Sequence, residues 1–186
     1  MIITISGDPG SGKSSVAKAV AKKLGYNHYS GGDMRGLLAK EHGMTIDQLN
    51  AVGEKEDWTD RGVDEQIGKL SKREDNFVID SRLAFHFIPQ SVKIYLSANV
   101  KVAAERIYKD TLIKDTDRSD EPKYKNAEEV ERYLRERVAS DKKRYKKYYG
   151  LDHTDPKHYD LVLDTTRLSL EESIEKVLMF VKGKAA

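Results

Sequence analysis

Residues 7 to 14 read Gly7-Asp8-Pro9-Gly10-Ser11-Gly12-Lys13-Ser14, with the spacing G-x-x-x-x-G-K-[ST], between an aliphatic run, Ile2–Ser6, and a helical pattern that begins at Lys13. A loop of this composition needs a strand before it and a helix after it, and both are present. Gly7, Gly10 and Gly12 let successive backbone N–H groups curl around a phosphate, and the helix N-terminus adds its positive dipole end. Lys13 is placed to reach the β- and γ-phosphates of a nucleoside triphosphate, and the Ser14 hydroxyl to ligate Mg²⁺. With Ser15 on the first helical turn, residues 7–15 form the expected nucleotide cradle. A chance match to the pattern would not explain the flanking strand, the helix and the serine together.

The remaining periodicity agrees with that frame. Further strand candidates are Asn27–Ser30, Phe77–Asp80, Val92–Leu96 and Asp160–Asp164; helical spacing recurs over Lys13–Leu24 and Leu170–Val181. Mostly apolar strands alternating with helices predict a parallel sheet covered on both faces. The 186 residues suffice for one domain of the usual size, roughly 100–150 residues, with inserted lobes. Two polar, helical stretches do not fit the core, Asp33–Asn76 and Lys109–Asn126, and they are read as those lobes. The formal charge is +2, which implies neither a nucleic-acid nor a membrane partner. The absence of cysteine excludes disulfides, a thiolate nucleophile and a Cys-based zinc site. No apolar stretch approaches the roughly 18–20 residues that span a bilayer, and no basic leader precedes the first strand, so a cytoplasmic protein is expected. The five histidines, His28, His42, His86, His153 and His158, show no metal-ligand spacing and are read as incidental.

Asp80 closes the apolar run Phe77-Val78-Ile79 at a strand end, where a phosphate-binding α/β protein holds its metal, and Arg82 faces the same crevice. A turn-capping Asp is the simpler alternative. Farther on, Glu131–Tyr149 carries eight basic and three acidic residues. At about 100° per residue, Arg137, Asp141 and Arg144 fall within about 60° of one another, flanking an apolar stripe of Val130, Leu134, Val138 and Tyr145. Two guanidinium groups around a carboxylate suit a phosphate and sugar hydroxyls. An ion-pair ladder that stiffens the helix suits the same spacing.

The chain resembles the nucleoside monophosphate kinases, and within them the shorter, archaeal-type cytidylate kinases. The likeness is carried by the phosphate loop, by Val78-Ile79-Asp80-Ser81-Arg82, by Ile88-Pro89 and the strand Val92–Leu96 that follows, and by Arg137-x-x-x-Asp141-x-x-Arg144. Tyr149-Gly150-Leu151-Asp152 and Tyr159–Thr165 extend it. The resemblance implies a five-stranded parallel core, a monophosphate-binding lobe at about 33–76 and a lid at about 107–128. It also implies that Arg106 contacts the transferring phosphate and that Thr165–Leu168 borders the adenine of ATP. Arg137, Asp141, Arg144 and Arg82 would hold the acceptor. In Ser30-Gly31-Gly32-Asp33-Met34-Arg35-Gly36, Arg35 stands one residue before the register of the family's monophosphate-binding arginine. Arg35 after a local shift, or Arg61, would make that contact. Lys109-Asp110 occupies the place of a second lid arginine.

The expectation is therefore a monomer that uses ATP and Mg²⁺ to phosphorylate a small nucleotide, CMP or dCMP. Other acceptors remain open: AMP, UMP, or a non-nucleotide small molecule as in shikimate kinases, against which the Arg137/Asp141/Arg144 face counts. From another class, a nucleotide-regulated nucleic-acid binder could use the basic and aromatic stretch Lys142–Tyr149. The near-neutral charge counts against that reading.

Overall fold

The structure is a computed structural model that describes residues 1–113 and 124–185. Its strands are β1 (Ile2–Gly7), β2 (Asn27–Ser30), β3 (Phe77–Asp80), β4 (Val92–Ser97) and β5 (Leu161–Asp164). They form one sheet in the order β2-β3-β1-β4-β5, with every pairing parallel. The helices are α1 (Lys13–Leu24), α2 (Gly31–Glu41), α3 (Ile46–Gly53), α4 (Trp58–Arg73), α5 (Ala84–Phe87), α6 (Val100–Ile113), α7 (Ala127–Tyr149) and α8 (Leu170–Ala185). The five strand expectations hold to within a residue at each end. No described helix is long and apolar enough to cross a membrane.

β1 lies at the centre, and all six of its residues are buried because helices cover both faces of the sheet. On one face Ile3, Ile5, Val78, Ile94 and Leu96 pack under α1, through Val16, Ala17 and Val20, and under α8, through Ile174, Val177 and Val181. On the other, Ile2, Phe77 and Ile79 pack under Val63 and Ile67 of α4. Within the segment read as an inserted lobe, 33–76, the last helix thus packs directly on the sheet. A parallel sheet presents two apolar faces, and α4 closes one of them with two residues one turn apart. The polar composition of α4 hides that role, since Asp60 and Asp64 are buried on the same helix.

The second expected lobe begins on the last turns of α6 and ends on the first residues of α7; residues 114–123 lie outside the described residues. α7 docks through Val130 and Leu134 against Ala103 and Ala104 of α6, and through Tyr145 against Leu83 and Phe85. Asn126 caps its start by accepting the Glu129 N–H, and Gly150, at φ 69°, ends it. Asp141 and Arg144 do not flank the buried stripe; they are part of it.

The turn out of β1 is set by close approach. A Cβ on Gly7 would stand 2.3 Å from the Leu96 carbonyl oxygen of β4. Gly68, inside α4, has nothing within 4 Å of the same position. Gly7→Ala should therefore lower the melting temperature by about 5–10 °C, from overpacking worth about 2–3 kcal/mol. Gly68→Ala should leave it unchanged or raise it, as expected for removing a helix-interior glycine. Thermal melts of the two variants beside the parent check both.

Candidate active site

The hollow of the phosphate loop is made by backbone. Gly10 and Gly12 take left-handed conformations, at φ 76° and 84°, and α1 begins immediately after Gly12. Asp8 shapes this loop without facing its hollow. Its N–H donates to the Leu96 carbonyl at 3.0 Å, and its carboxylate accepts from the Tyr95 hydroxyl at 2.6 Å and from the Ala98 N–H at 3.1 Å. The loop is thus pinned to the end of β4. From the β5 side, the buried Thr165 hydroxyl reaches the carbonyls of Ser11 and Ser97, each at 3.0 Å.

Ser14 and Asp80, the two expected metal residues, are brought together. The Ser14 hydroxyl donates to Asp80 Oδ2 at 2.7 Å, and Asp80 is 2% exposed at the end of β3. Oxygen donors of this kind fit a magnesium ion, which takes few protein ligands and fills its shell with phosphates and water. Among the described residues, no group of three or more His, Asp or Glu side chains forms a metal site of its own.

Lys13 stands close enough to Arg82, Arg137, Asp80 and Asp141 to feel their charges. Burial first, then the Arg82 and Arg137 guanidinium groups, push its ammonium down to about 8, while the two carboxylates oppose them. Among the described residues, neither Lys13 nor Arg137 makes an ion pair. Two cations without an ion-pair partner thus stand close together beside the loop.

Behind Lys13 runs a buried chain of alternating charge. Arg82 Nε meets Asp141 Oδ2, and Asp141 Oδ1 lies 2.7 Å from Arg144 Nη2. Arg144 Nε is 3.0 Å from Asp60 Oδ2, and Asp60 Oδ1 is 2.9 Å from Arg35 Nη1. Arg144 is only 1% exposed, and its Nη1 donates to the Ser140 hydroxyl. Arg35 also donates to Asn50 Oδ1 and to the Thr59 carbonyl. Burial alone would raise the Asp141 carboxyl; Arg82, Arg144 and Arg137 outweigh it and hold it below the usual carboxylate range. The helical ladder survives only as the Asp141–Arg144 pair, and the other links join separate elements. Arg35 is the arginine turned inward, whereas Arg61 lies on the surface against Asp57.

Arg106 lies on the far side of the phosphate loop, where its Nη2 donates to the carbonyls of Thr165 and Thr166 at 2.8 and 3.2 Å. It borders an open cleft lined by Ser97, Asn99, Asp164, Thr166, Arg167 and Leu168.

The sequence profile of the cytidylate kinase-like family matches residues 2–167. The chain belongs to that family. The cytidylate kinase of Natronomonas pharaonis is 40% identical over 171 residues, 91% of this chain and 83% of that protein. That of Sulfurisphaera tokodaii is 33% identical over 189 residues, 99% of this chain and 98% of that protein. Among solved structures, shikimate kinase from Bacteroides thetaiotaomicron matches with a TM-score of 0.63 at 16% identity, over 98% of both chains. This likeness is one of fold, a parallel sheet of the kind phosphate-loop kinases share.

In this cytidylate kinase-like chain two participants escape sequence reading. Asp60 joins Arg35 to Arg144, and nothing in its local spacing indicates that. His28, read as incidental, places Nε2 2.8 Å from Asp80 Oδ1. The available signal is strand parity, since His28 precedes Ser30 by two residues in β2, but using it requires knowing that β2 lies beside β3. The basic stretch of α7 is engaged within the fold: Lys143 pairs with Glu54, Lys142 with Asp152, and Lys147 donates to the Glu54 and Lys55 carbonyls.

Beside the charge chain, burial first and then the Asp60 charge raise the Asp64 carboxyl to about 7, although the Tyr149 hydroxyl donates to it at 2.5 Å. Its ordinary value is 3.8, so between about pH 4 and 7 the folded protein binds more protons than the unfolded chain. Stability from Asp64 is therefore complete below pH 4 and lost as the pH rises through 7. Asp64→Asn should flatten this slope: the parent should lose several degrees more of melting temperature between pH 5 and 8 than the variant, measured by thermal melts across that range.

Proposed function

We propose that the chain transfers the γ-phosphoryl group of ATP to a nucleoside monophosphate, CMP or dCMP, giving ADP and CDP or dCDP. The supporting observation is the convergence of Lys13, Arg137, Arg82, Asp80 and Asp141 between the phosphate loop and α7, in a chain of the cytidylate kinase-like family. Phosphoryl transfer needs in-line placement and charge neutralisation more than a covalent nucleophile. This site supplies both. The loop amides and Lys13 hold the β- and γ-phosphates, and the cleft beside Thr166 and Leu168 receives the adenine. Ser14, with Asp80 behind it, would hold a magnesium ion, which when bound would neutralise phosphate charge. Arg137 stands close enough to Lys13 for their charges to act on each other. From there it stabilises the charge that develops on the transferring group.

On the acceptor side, Arg82 and Arg144 orient Asp141. A carboxylate offers about four lone-pair positions, and the two arginines use two of them, so Asp141 retains acceptors for a sugar hydroxyl. Helices α2 to α4 form the monophosphate-binding lobe, with Arg35 as its inward cation; residues 107–128 form the lid. For Arg106 to reach the transferring phosphate it must leave the carbonyls of Thr165 and Thr166. Its present contacts make it the tie between the root of the lid and the adenine cleft.

Lys13→Ala should lower turnover by several orders of magnitude with the fold intact, since the loop glycines remain. A coupled ADP-release assay across CMP, dCMP, UMP, AMP and GMP should show the highest kcat/KM for one or both cytidine nucleotides. A preference for AMP or UMP would replace the acceptor and keep the chemistry; no ADP release with any of them, or near-normal turnover of Lys13→Ala, would remove the kinase reading.

Asp141→Ala separates a binding role from a merely structural one. It strands the buried Arg82 and takes one of its two carboxylate partners from Arg144, so stability should fall by about 3–5 kcal/mol. The KM for CMP should also rise, with kcat/KM down roughly tenfold or more and the KM for ATP little changed. Asp141→Asn should do less damage. A lower melting temperature with unaltered acceptor kinetics would defeat the binding role.

A further inference from the structure

Asp80 has two carboxylate oxygens and three donors around them. β2 and β3 pair in parallel with Ser30 opposite Asp80 and His28 opposite Val78. Paired residues in a parallel ladder leave the sheet on the same side, and residues two apart share a face. His28, Ser30, Val78 and Asp80 therefore all project toward α1, which packs on Val78. The first turn of α1 brings Ser14 onto the same carboxylate. Ser14 Oγ is 2.7 Å and Ser30 Oγ 3.3 Å from Oδ2, and His28 Nε2 is 2.8 Å from Oδ1.

We propose that His28 is a positioning residue for metal binding: by donating its Nε2–H to Asp80 Oδ1, it fixes the rotation of the carboxylate so that Oδ2 faces Ser14. The inference rests on the reading of Ser14 and Asp80 as the magnesium residues and adds the group that orients them. Asp80 is too deeply buried for solvent to set its orientation, and Ser30 shares an oxygen with Ser14, so Oδ1 is held by His28. Groups that hydrogen-bond to a metal carboxylate from behind change metal affinity about 10–100-fold when removed. A histidine that merely packs at the sheet edge would change stability and leave metal affinity alone.

The test compares the affinity of the full chain for a non-hydrolysable ATP analogue in excess Mg²⁺ and in EDTA, by calorimetry, with a melting curve for each variant. The ratio of the two affinities isolates the metal's contribution. In His28→Ala that ratio should shrink about tenfold or more, while binding in EDTA stays within about twofold of the parent. His28→Asn, whose amide stops short of Asp80, should behave like the alanine variant. His28→Gln, whose amide reaches the position of Nε2, should keep most of the parent's ratio. An unchanged ratio in both His28→Ala and His28→Asn would overturn the assignment, as would an equal loss of binding with and without metal. A parent protein that binds the analogue equally well in Mg²⁺ and EDTA would overturn the metal reading of Ser14 and Asp80 and this inference with it, whereas an unchanged ratio in the variants alone would leave that reading standing.

Discussion

A guanidinium group cannot be buried alone, and Arg144 is buried almost completely. Its neighbours follow from that fact. Asp141 answers it from the same helix and Asp60 from α4, and each of those carboxylates takes a second arginine, Arg82 beyond β3 and Arg35 on α2. One desolvated cation thus fixes the mutual placement of α2, α4, α7 and the strand end that faces the phosphate loop. Close packing enforces the same arrangement: a Cβ on Gly53 would stand 2.6 Å from Thr59 Oγ1 and 3.1 Å from Arg144 Cδ. The elements around Arg144 have no room to slide, and the charges have no water to replace a lost partner.

What the sequence discloses and what it conceals divides along the range of the interactions. The phosphate loop is a local object, written in eight consecutive residues, and the strand that ends at Asp80 is legible as an apolar run closed by a carboxylate. Even the pairing of Ser14 with Asp80 follows from a general rule about strand ends beside such loops. The arginine–aspartate spacing on α7 is also local, but its meaning is not. Spacing assigns Asp141 and Arg144 to the edge of a stripe, and whether that edge is wet or dry depends on α4, a helix too polar to be recognised as a core element. Asp60 and His28 are invisible for a related reason. Each acts across strands or helices whose adjacency no local pattern records, and a single Asp or His in a polar stretch carries no periodic signal.

The fold likeness to a shikimate kinase at 16% identity clarifies which features are generic. A parallel sheet with a phosphate loop leaving its central strand depends mainly on apolar alternation and a few glycines, and very different sequences satisfy it. The charge chain needs particular residues on four separate elements. In the proposed reading it lies on the acceptor side of the site, where one small molecule would be distinguished from another.

β2 is an edge strand, bonded to the sheet only through β3. Edges are where sheets open first, with local free energies well below that of global unfolding. Because His28 and Ser30 reach Asp80 from this strand, an opening of the edge takes away two of the three donors to the carboxylate and leaves it tied to Ser14 of α1, while the core around β1 stays intact.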